Sequence, residues 1–332
     1  KQVTWISLVA FCAMVLTGVS CHRDVFDEER YEELLDSVCP VDSIDKDHSW
    51  VLTTAKDLLI MVPEGMNAEK VQILTANPRQ SGDAKLVGQV YVTDGEKRMI
   101  SISYPSTLAT LYAALIDQNG KYTLEVFSPD EQGVITFSNP ILKGDGISYE
   151  PQPQVYTYCF EEEYPQPGDY DYNDVVMRIS QERTGKMEMR YHVTLAAVGA
   201  SKKVGACLRL VDVKYDDIES VSTVNNMSFN VTNGKTISDQ MMYVLTDKSL
   251  FAKGRHDEAV LNLFVDAHWA TGEELDDNFG MIGRKKYNVT KNTGGTGQMM
   301  VPREITYVVT FKDEKLLNRL SLDQLDPFIV EE

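Results

Sequence analysis

The sequence predicts an all-β protein, and three observations support this prediction. Short runs rich in β-branched and aromatic residues recur from Trp50 onward, for example at 58–62, 88–92 and 304–311. Turn-forming glycine, proline, asparagine and aspartate residues separate these runs. Strands do not alternate with helical patterns, which argues against a doubly wound nucleotide-binding fold. We therefore predict two β-sandwich domains of the immunoglobulin or jelly-roll kind, preceded by a short helix.

The composition is that of a globular protein with an acidic surface. The chain has 332 residues, of which 43% are hydrophobic, and a formal net charge of -18. A chain of this length can bury the cores of one large domain or two ordinary ones. Because the negative charge repels phosphate backbones, we expect no nucleic-acid partner. Acidic oxygens are the ligands that calcium prefers, although solubility alone would explain most of the charge.

The N-terminal segment predicts export and a lipid anchor. Residues 2–20 carry no charge, and their apolar run is shorter than the ~20 residues of a membrane span. Residues 16–21, with the sequence LTGVSC, resemble a relaxed lipobox of bacterial lipoproteins. This resemblance implies a signal peptide at 1–20, cleavage before Cys21 and lipidation of Cys21, which anchors the protein in the membrane. The alternatives are a transmembrane anchor or a secreted protein that is cleaved elsewhere.

A tether with a short helix is predicted at residues 21–49. Acidic residues directly after Cys21 resemble signals that export some Bacteroidetes lipoproteins to the cell surface: Asp24, Asp27, Glu28 and Glu29. The helix is predicted at 27–38, where apolar residues follow helical spacing: Tyr31, Leu34, Leu35 and Val38. Acidic residues occupy its first turn, and Pro40 ends it.

The five cysteines do not form a disulfide framework. Cys12 lies in the signal and Cys21 is the predicted lipid site, which leaves Cys39, Cys159 and Cys207. An odd number permits at most one disulfide within the chain and leaves one thiol over. No CxxC pair indicates zinc. We therefore expect these cysteines to be buried as small apolar residues.

A glycine- and proline-rich stretch at 144–153 divides the β-rich part of the chain. We predict an N-terminal β-sandwich domain at residues 50–150 and a C-terminal β domain at residues 151–332. In the first domain, Asp117-Gln118-Asn119-Gly120 predicts a hairpin turn. In the second, residues 187–195 alternate between apolar and polar side chains, as in a half-buried strand.

An acidic segment at 160–176 carries the strongest chemical signal. After Gly168, Asp169, Asp171 and Asn173 recur at every second residue, so a loop can turn their oxygens to one side. Calcium takes about six to eight oxygen ligands, which such a loop supplies compactly. The segment is not an EF-hand, because that loop requires a glycine and a glutamate at positions where this chain lacks them. By spacing alone, a calcium loop and a solvated acidic turn explain the pattern about equally well.

The acidic segment resembles the signature of the LruC-domain lipoproteins of Bacteroidetes. That signature is typically Phe-Glu-Asp, a short spacer and Gly-Asp-Tyr-Asp-Phe-Asn-Asp. Here Phe160-Glu161-Glu162 and the sequence GDYDYND at 168–174 match it, with Glu162 in place of the usual aspartate. Further similar blocks cover most of the chain, at 195–200, 204–210, 263–268 and 325–329.

The resemblance implies a β-sandwich with a cation-filled acidic loop and a surface or adhesion-like role. Transferred position by position, it implies these calcium ligands: Glu161, Glu162, Asp169, Asp171, Asn173 and Asp174. Asp266 and His268 are further candidates from a second strand end. Because calcium prefers oxygen, a structural hydrogen bond is the more common role for a histidine such as His268.

Enzyme motifs such as HExxH, GxSxG, the P-loop and GxGxxG do not occur in the sequence. Cys159 and His192 could act as a nucleophile and its base, but a buried strand cysteine is the better explanation. We therefore predict a non-catalytic lipoprotein of the outer membrane and cell surface that binds a glycan or a surface protein. The alternatives are a structural subunit of an adhesive or fimbrial assembly, and a hydrolase with no familiar motif.

Overall fold

The computed structural model describes residues 51–137, 151–162, 172–226, 229, 231–232, 235–236, 250–271, 287 and 301–331. Strands dominate these ranges, so the all-β prediction is confirmed. The described residues belong to one compact unit, Val51–Glu332. The predicted signal peptide, Cys21, Cys39 and the helix at 27–38 lie outside the described residues. No helix within the described ranges is long and apolar enough to cross a membrane.

Two sheets form an N-terminal sandwich. Its strands are β1 (Thr53–Met61), β2 (Ala68–Leu74), β3 (Lys85–Tyr91), β4 (Lys97–Pro105), β5 (Leu111–Asp117), β6 (Tyr122–Phe127), β7 (Val134–Thr136) and β8 (Gln152–Pro153). One sheet has the order β4-β1-β7 and the other the order β6-β5-β2-β3-β8. Inward-facing residues of both sheets form one core, which includes Leu58, Ile102, Ile73 and Leu111. Burial of this apolar surface holds the two sheets together.

The hairpin turn predicted at residues 117–120 is confirmed between β5 and β6. Gly120 has φ +75°, a left-handed conformation that glycine adopts without a steric penalty. The Asp117 carboxylate accepts the backbone N–H groups of Asn119 and Lys121, each at 2.8 Å. The side chain of Asp117 therefore satisfies turn amides that would otherwise lack a partner.

Gly88 in β3 permits a close approach of the two N-terminal sheets. A Cβ atom at this position would lie 2.7 Å from Cγ2 of Ile102, which is fully buried in the opposite sheet. We expect Gly88→Ala to lower the free energy of unfolding by about 1–3 kcal/mol, because the sheets must move apart. Urea denaturation measures this change. Gly82→Ala is the matched control, since a Cβ atom at Gly82 would have no other atom within 4 Å; an equal loss in both variants would contradict the packing explanation.

Two larger sheets form a C-terminal sandwich. Its strands are β9 (Val155–Phe160), β10 (Val175–Arg183), β11 (Glu188–Ala197), β12 (Val204–Lys214), β13 (Ile218–Thr223), β16 (Phe251–Lys253), β17 (Glu258–Phe264), β18 (Arg303–Phe311) and β19 (Leu325–Glu331). They form sheets of order β13-β18-β11-β10-β9 and β16-β17-β12-β19. A separate short pair consists of β14 (Val231–Thr232) and β15 (Lys235–Thr236). The α-helices among the described residues are single turns, α1 (Ala267–Ala270) and α2 (Glu314–Leu317).

The alternating pattern at 187–195 corresponds to β11, so the prediction of a half-buried strand is confirmed. Tyr191, Val193 and Leu195 point into the core, while His192 and Thr194 lie on the outer face. β18 alternates in the same way and pairs with β11 in antiparallel register. Because successive side chains of a strand point to opposite faces, this pattern fixes which face of the sheet is buried.

The two sandwiches contact each other through β3 and β4 on one side and through β10 and Asn318, the residue after α2, on the other. The Gln89 side chain donates to the Arg183 carbonyl oxygen at 2.7 Å, and the Ser101 N–H donates to the Asn318 carbonyl oxygen at 2.8 Å. β8 follows the predicted boundary at residue 150 but pairs with β3 of the N-terminal sandwich. Residue 150 itself lies outside the described ranges, and the division of the chain there stays a prediction.

Arg183 is the main buried polar group at this contact. Its side chain is 3% exposed and donates hydrogen bonds to the carbonyl oxygens of Gly185 and Lys186 and to Oδ1 of Asn318. Burial lowers the pKa of its guanidinium to about 10, and the charge of Glu314, 3.6 Å away, opposes this shift. A buried cation of this kind is stable only while these partners remain in place.

Candidate functional site

The two ends of the acidic segment meet where β9 ends and β10 begins. These strands pair in antiparallel register, with Phe160 opposite Val175. Glu161 and Glu162 therefore lie beside Tyr172, Asn173 and Asp174. Asp169 and Asp171 fall between these ends, at positions 163–171, which lie outside the described residues.

Glu162 is buried and bound by the protein itself. Its side chain is 6% exposed. Oε1 accepts the backbone N–H of Ser201 at 2.9 Å and the Ser201 hydroxyl at 2.5 Å, and Oε2 accepts the N–H of Lys202 at 3.0 Å. Three donors thus converge on one buried carboxylate, which joins the end of β9 to the turn at 199–202 between β11 and β12.

Asp174 joins the same turn from the other end of the segment. It is 8% exposed, and its Oδ2 accepts the backbone N–H of Glu162 at 2.7 Å. Its carbonyl oxygen accepts the N–H groups of Gly199 at 3.0 Å and Ala200 at 3.2 Å. Hydrogen bonds therefore join Glu162 to Asp174 and join both residues to the 199–202 turn.

Glu161, Tyr172 and Asn173 lie nearer to solvent. Glu161 and Asn173 are half-buried, and the Tyr172 side chain is 52% exposed. Tyr172 has φ +50°, in the left-handed region, and its N–H donates to Oε2 of Glu161 at 2.9 Å. This conformation is uncommon for a residue with a side chain, and the Glu161 hydrogen bond helps to fix it.

Asp266 and His268 reach this arrangement from the end of β17. Both are buried, with 0% and 2% exposure. Oδ1 of Asp266 caps α1 by accepting the His268 N–H at 2.9 Å, and Nε2 of His268 lies 2.8 Å from the Ala200 carbonyl oxygen. Because a carbonyl oxygen can only accept, the shared proton lies on Nε2. The structure therefore connects His268 directly, and Asp266 through it, to the 199–202 turn.

The described residues do not form a cation site by themselves. Within these ranges, no group of three or more His, Cys, Asp or Glu side chains is arranged to hold a metal ion. Glu161 and Asn173 could contribute oxygens at the edge of the segment, but calcium needs about six to eight. The set of calcium ligands implied by the resemblance therefore stays a prediction.

Sequence reasoning missed the 199–202 turn as part of this site. Gly199-Ala200-Ser201 after a strand is turn composition, which gives a local signal. The partner of this turn is remote, because Ser201 lies 39 residues after Glu162 in the chain. No local pattern indicates that the backbone amides of one turn are satisfied by a carboxylate so far away.

The prediction that the cysteines are buried is wrong for Cys159 and confirmed for Cys207. β9 lies at the edge of its sheet in the described part of the chain, and its alternation places Cys159 outward. His192 does not act as a base for Cys159, because both of its ring nitrogens face other groups. Its Nδ1 lies 3.0 Å from the Thr306 hydroxyl, and its Nε2 lies 3.6 Å from the Glu182 carboxylate.

The His192 imidazole, which is hydrogen-bonded to Glu182, keeps the pKa of the Glu182 carboxyl below its usual value.

We expect thiol reagents to distinguish these two cysteines. Burial raises the pKa of the Cys207 thiol to about 12, so it forms almost no thiolate near pH 8. Cys159→Ser should remove one reactive thiol from the native protein in a titration with 5,5′-dithiobis(2-nitrobenzoate). Cys207→Ser should lower the count only under denaturing conditions. Rapid labelling of Cys207 in the native protein would contradict its burial.

A family model matches the C-terminal part of this chain. Residues 186–332 match a domain of unknown function, DUF4842. This range contains the 199–202 turn, Asp266 and His268 but not the acidic segment. No catalytic family is indicated, and the LruC resemblance stays a prediction.

A solved structure, that of a provisionally assigned lipoprotein from Bacteroides ovatus, is 16% identical with a TM-score of 0.42. The match covers 79% of this chain and 76% of that one. This likeness is too distant to carry a conclusion about function. The search of curated proteins found no match.

Proposed function

We propose that this chain is a non-catalytic binding or adhesion module, anchored by a lipid at Cys21 to the outer membrane and exposed at the cell surface. Its ligand is a glycan or another surface protein, and calcium bound at the acidic segment stabilises it. The candidate ligands of the ion are those of the sequence: Glu161, Glu162, Asp169, Asp171, Asn173, Asp174 and Asp266.

One observation carries the calcium proposal. Both ends of the acidic segment are fixed to the same turn, through Glu162 on one side and Asp174 on the other. A short loop with fixed ends loses little further entropy when its oxygens close around an ion. Without a cation, the carboxylates held there would repel one another. A bound divalent ion removes that repulsion.

Calcium should raise the thermal stability of the purified protein. An ion that binds only the native state contributes RT ln(1 + [L]/Kd), or about 2.7 kcal/mol at a hundredfold excess over Kd. For a chain of this size we expect a rise of a few degrees in Tm. Differential scanning calorimetry in calcium and in excess chelator measures it, and magnesium tests selectivity.

Asp171→Ala should abolish the calcium-dependent rise in Tm. Asp83→Ala is the matched control, because Asp83 is an exposed turn aspartate of the N-terminal sandwich, and it should keep the full response. If the wild type melts identically in calcium and in chelator, the acidic segment is a solvated turn and the calcium proposal fails.

The anchor has a separate test. Cells grown with a labelled fatty acid should incorporate label into the wild-type protein and not into Cys21→Ser. Protease added to intact cells should degrade the wild-type protein if it faces outward. Equal labelling of both proteins would exclude Cys21 as the lipid site, and protection from protease would place the protein on the periplasmic side.

A further inference from the structure

We infer that the outer edge of β9 captures an extended segment of another protein, which carries apolar and basic side chains and pairs with β9 as an added strand. β9 (Val155–Phe160) ends its sheet in the described part of the chain, where it pairs with β10. The inference rests on the proposed binding role and names the partner as a protein, but it does not depend on calcium.

β9 lacks the features that protect an edge strand from further pairing. Edge strands present backbone N–H and C=O groups, and proteins protect them with charged side chains, prolines or very short strands. In the described sheets, every other edge strand longer than three residues contains a charged residue or a proline, for example Lys97 in β4, Glu125 in β6, Glu219 in β13 and Pro327 in β19. β9, with the sequence VYTYCF, contains neither. Its β-branched and aromatic residues favour strand pairing.

The side chains of β9 leave apolar surface on both faces of this edge. On the outer face, Val155 is 46% exposed and Cys159 is also exposed. On the inner face, Tyr156, Tyr158 and Phe160 are only partly buried against the core of the C-terminal sandwich. A strand added to β9 buries more of this surface, while main-chain hydrogen bonds supply affinity.

Carboxylates beside this edge favour a basic partner. Burial raises the pKa of the Tyr158 hydroxyl above its ordinary value, and the charges of Asp326 and Asp323 raise it further, so both carboxylates lie close to the edge. Glu161 directly follows β9. Basic side chains are attracted to such carboxylates and can lie over tyrosine rings. A second copy of this chain would instead bring the same carboxylates and a net charge of -18, which disfavours self-association.

Amide hydrogen exchange of the full chain, with and without a synthetic peptide, tests the added strand. The probe is a heptapeptide of alternating valine and lysine, and its Kd is measured by fluorescence anisotropy. At about ten times its Kd, the probe should slow exchange of the outward-facing β9 amides about tenfold, because the bound edge does not exchange. The amides of β13, at the opposite edge of the same sheet, should keep their rates. Unchanged exchange in β9 with up to millimolar probe would overturn the inference.

Two comparisons test the charge of the partner. A heptapeptide of alternating valine and glutamate should leave β9 exchange unchanged. Asp323→Asn should weaken binding of the lysine probe roughly two- to fivefold, as expected for an exposed ion pair. Asp323 is the better choice for this change because Asp326 already pairs with Arg209 at 2.6 Å. Asp216→Asn is the matched control, since Asp216 is an exposed carboxylate in the turn after β12. Equal protection by both peptides would exclude a basic partner.

The same experiments separate this inference from the calcium proposal and from self-association. All exchange is measured in excess chelator. A wild type whose Tm ignores calcium but whose β9 amides respond to the lysine probe contradicts the calcium proposal alone. If sedimentation velocity shows dimers and concentrated protein protects its own β9 amides, a second copy occupies the edge and the inference is wrong.

Discussion

Arg183→Ala should lower the free energy of unfolding by about 3–5 kcal/mol, among the largest losses expected from a single substitution in this protein. The guanidinium is buried and donates to the carbonyl oxygens of Gly185 and Lys186 and to the Asn318 side chain. Removal of the arginine leaves the buried Asn318 side chain without this donor and takes a donor from the carbonyl oxygens of Gly185 and Lys186. Glu314 also loses its ion-pair partner, because its carboxylate lies 3.6 Å from the Arg183 guanidinium.

The position of Arg183 adds a second expected effect. Its carbonyl oxygen accepts from Gln89, and its guanidinium lies over the Tyr91 ring, 5.5 Å from the centroid, so it contacts β3 of the N-terminal sandwich. We expect Arg183→Ala to loosen the contact between the sandwiches. Urea denaturation followed by both circular dichroism and fluorescence should then give transitions that no longer coincide, whereas those of the wild type coincide.

Arg209→Ala is the matched control for Arg183→Ala. Arg209 also bridges carboxylates, those of Glu258 at 3.3 Å and Asp326 at 2.6 Å, but its side chain is 41% exposed. Exposed ion pairs contribute about 0–1 kcal/mol, so this variant should be nearly as stable as the wild type. An Arg183→Ala variant that lost no more than Arg209→Ala would show that the buried hydrogen bonds contribute little.

Tyr307→Ala should lower the free energy of unfolding by about 3–5 kcal/mol. Tyr307 lies in β18, is 1% exposed and fills the core between the two C-terminal sheets. Its hydroxyl crosses to the opposite sheet and donates to the Asn262 carbonyl oxygen at 3.1 Å. Burial raises the pKa of this hydroxyl above its ordinary value, so it remains a donor.

Tyr307→Phe separates the ring from the hydroxyl. The ring still fills the core, and only the hydrogen bond across the sandwich is lost, so the expected loss is about 1 kcal/mol. Both variants are measured by urea denaturation at constant temperature. If Tyr307→Phe lost as much as Tyr307→Ala, the hydroxyl rather than the volume of the ring would hold the sheets together.

Local patterns predicted the strands and turns correctly. The alternation at 187–195 corresponds to β11, and Asp117-Gln118-Asn119-Gly120 forms the turn between β5 and β6. Both signals depend on neighbours within a few residues, because side chains alternate along a strand and the turn aspartate binds nearby amides. The acidic segment was recognisable for the same reason, since its spacing is a local property.

The tertiary structure decided which members of that segment are buried. Glu161 and Glu162 are adjacent in sequence, yet Glu162 binds the Ser201 and Lys202 amides while Glu161 lies at the edge. Cys159 is exposed because β9 is an edge strand in the described part of the sheet and the alternation of β9 points this side chain outward.

The sequence by itself determined the all-β class, the hairpin turn and the place of the acidic segment. Only the tertiary structure decided that Arg183 joins the two sandwiches and that Glu162, Asp174 and His268 meet at one turn. The physical reason is the range of the interactions. Backbone conformation follows local sequence, whereas the satisfaction of buried charges and amides depends on residues that are remote in the chain.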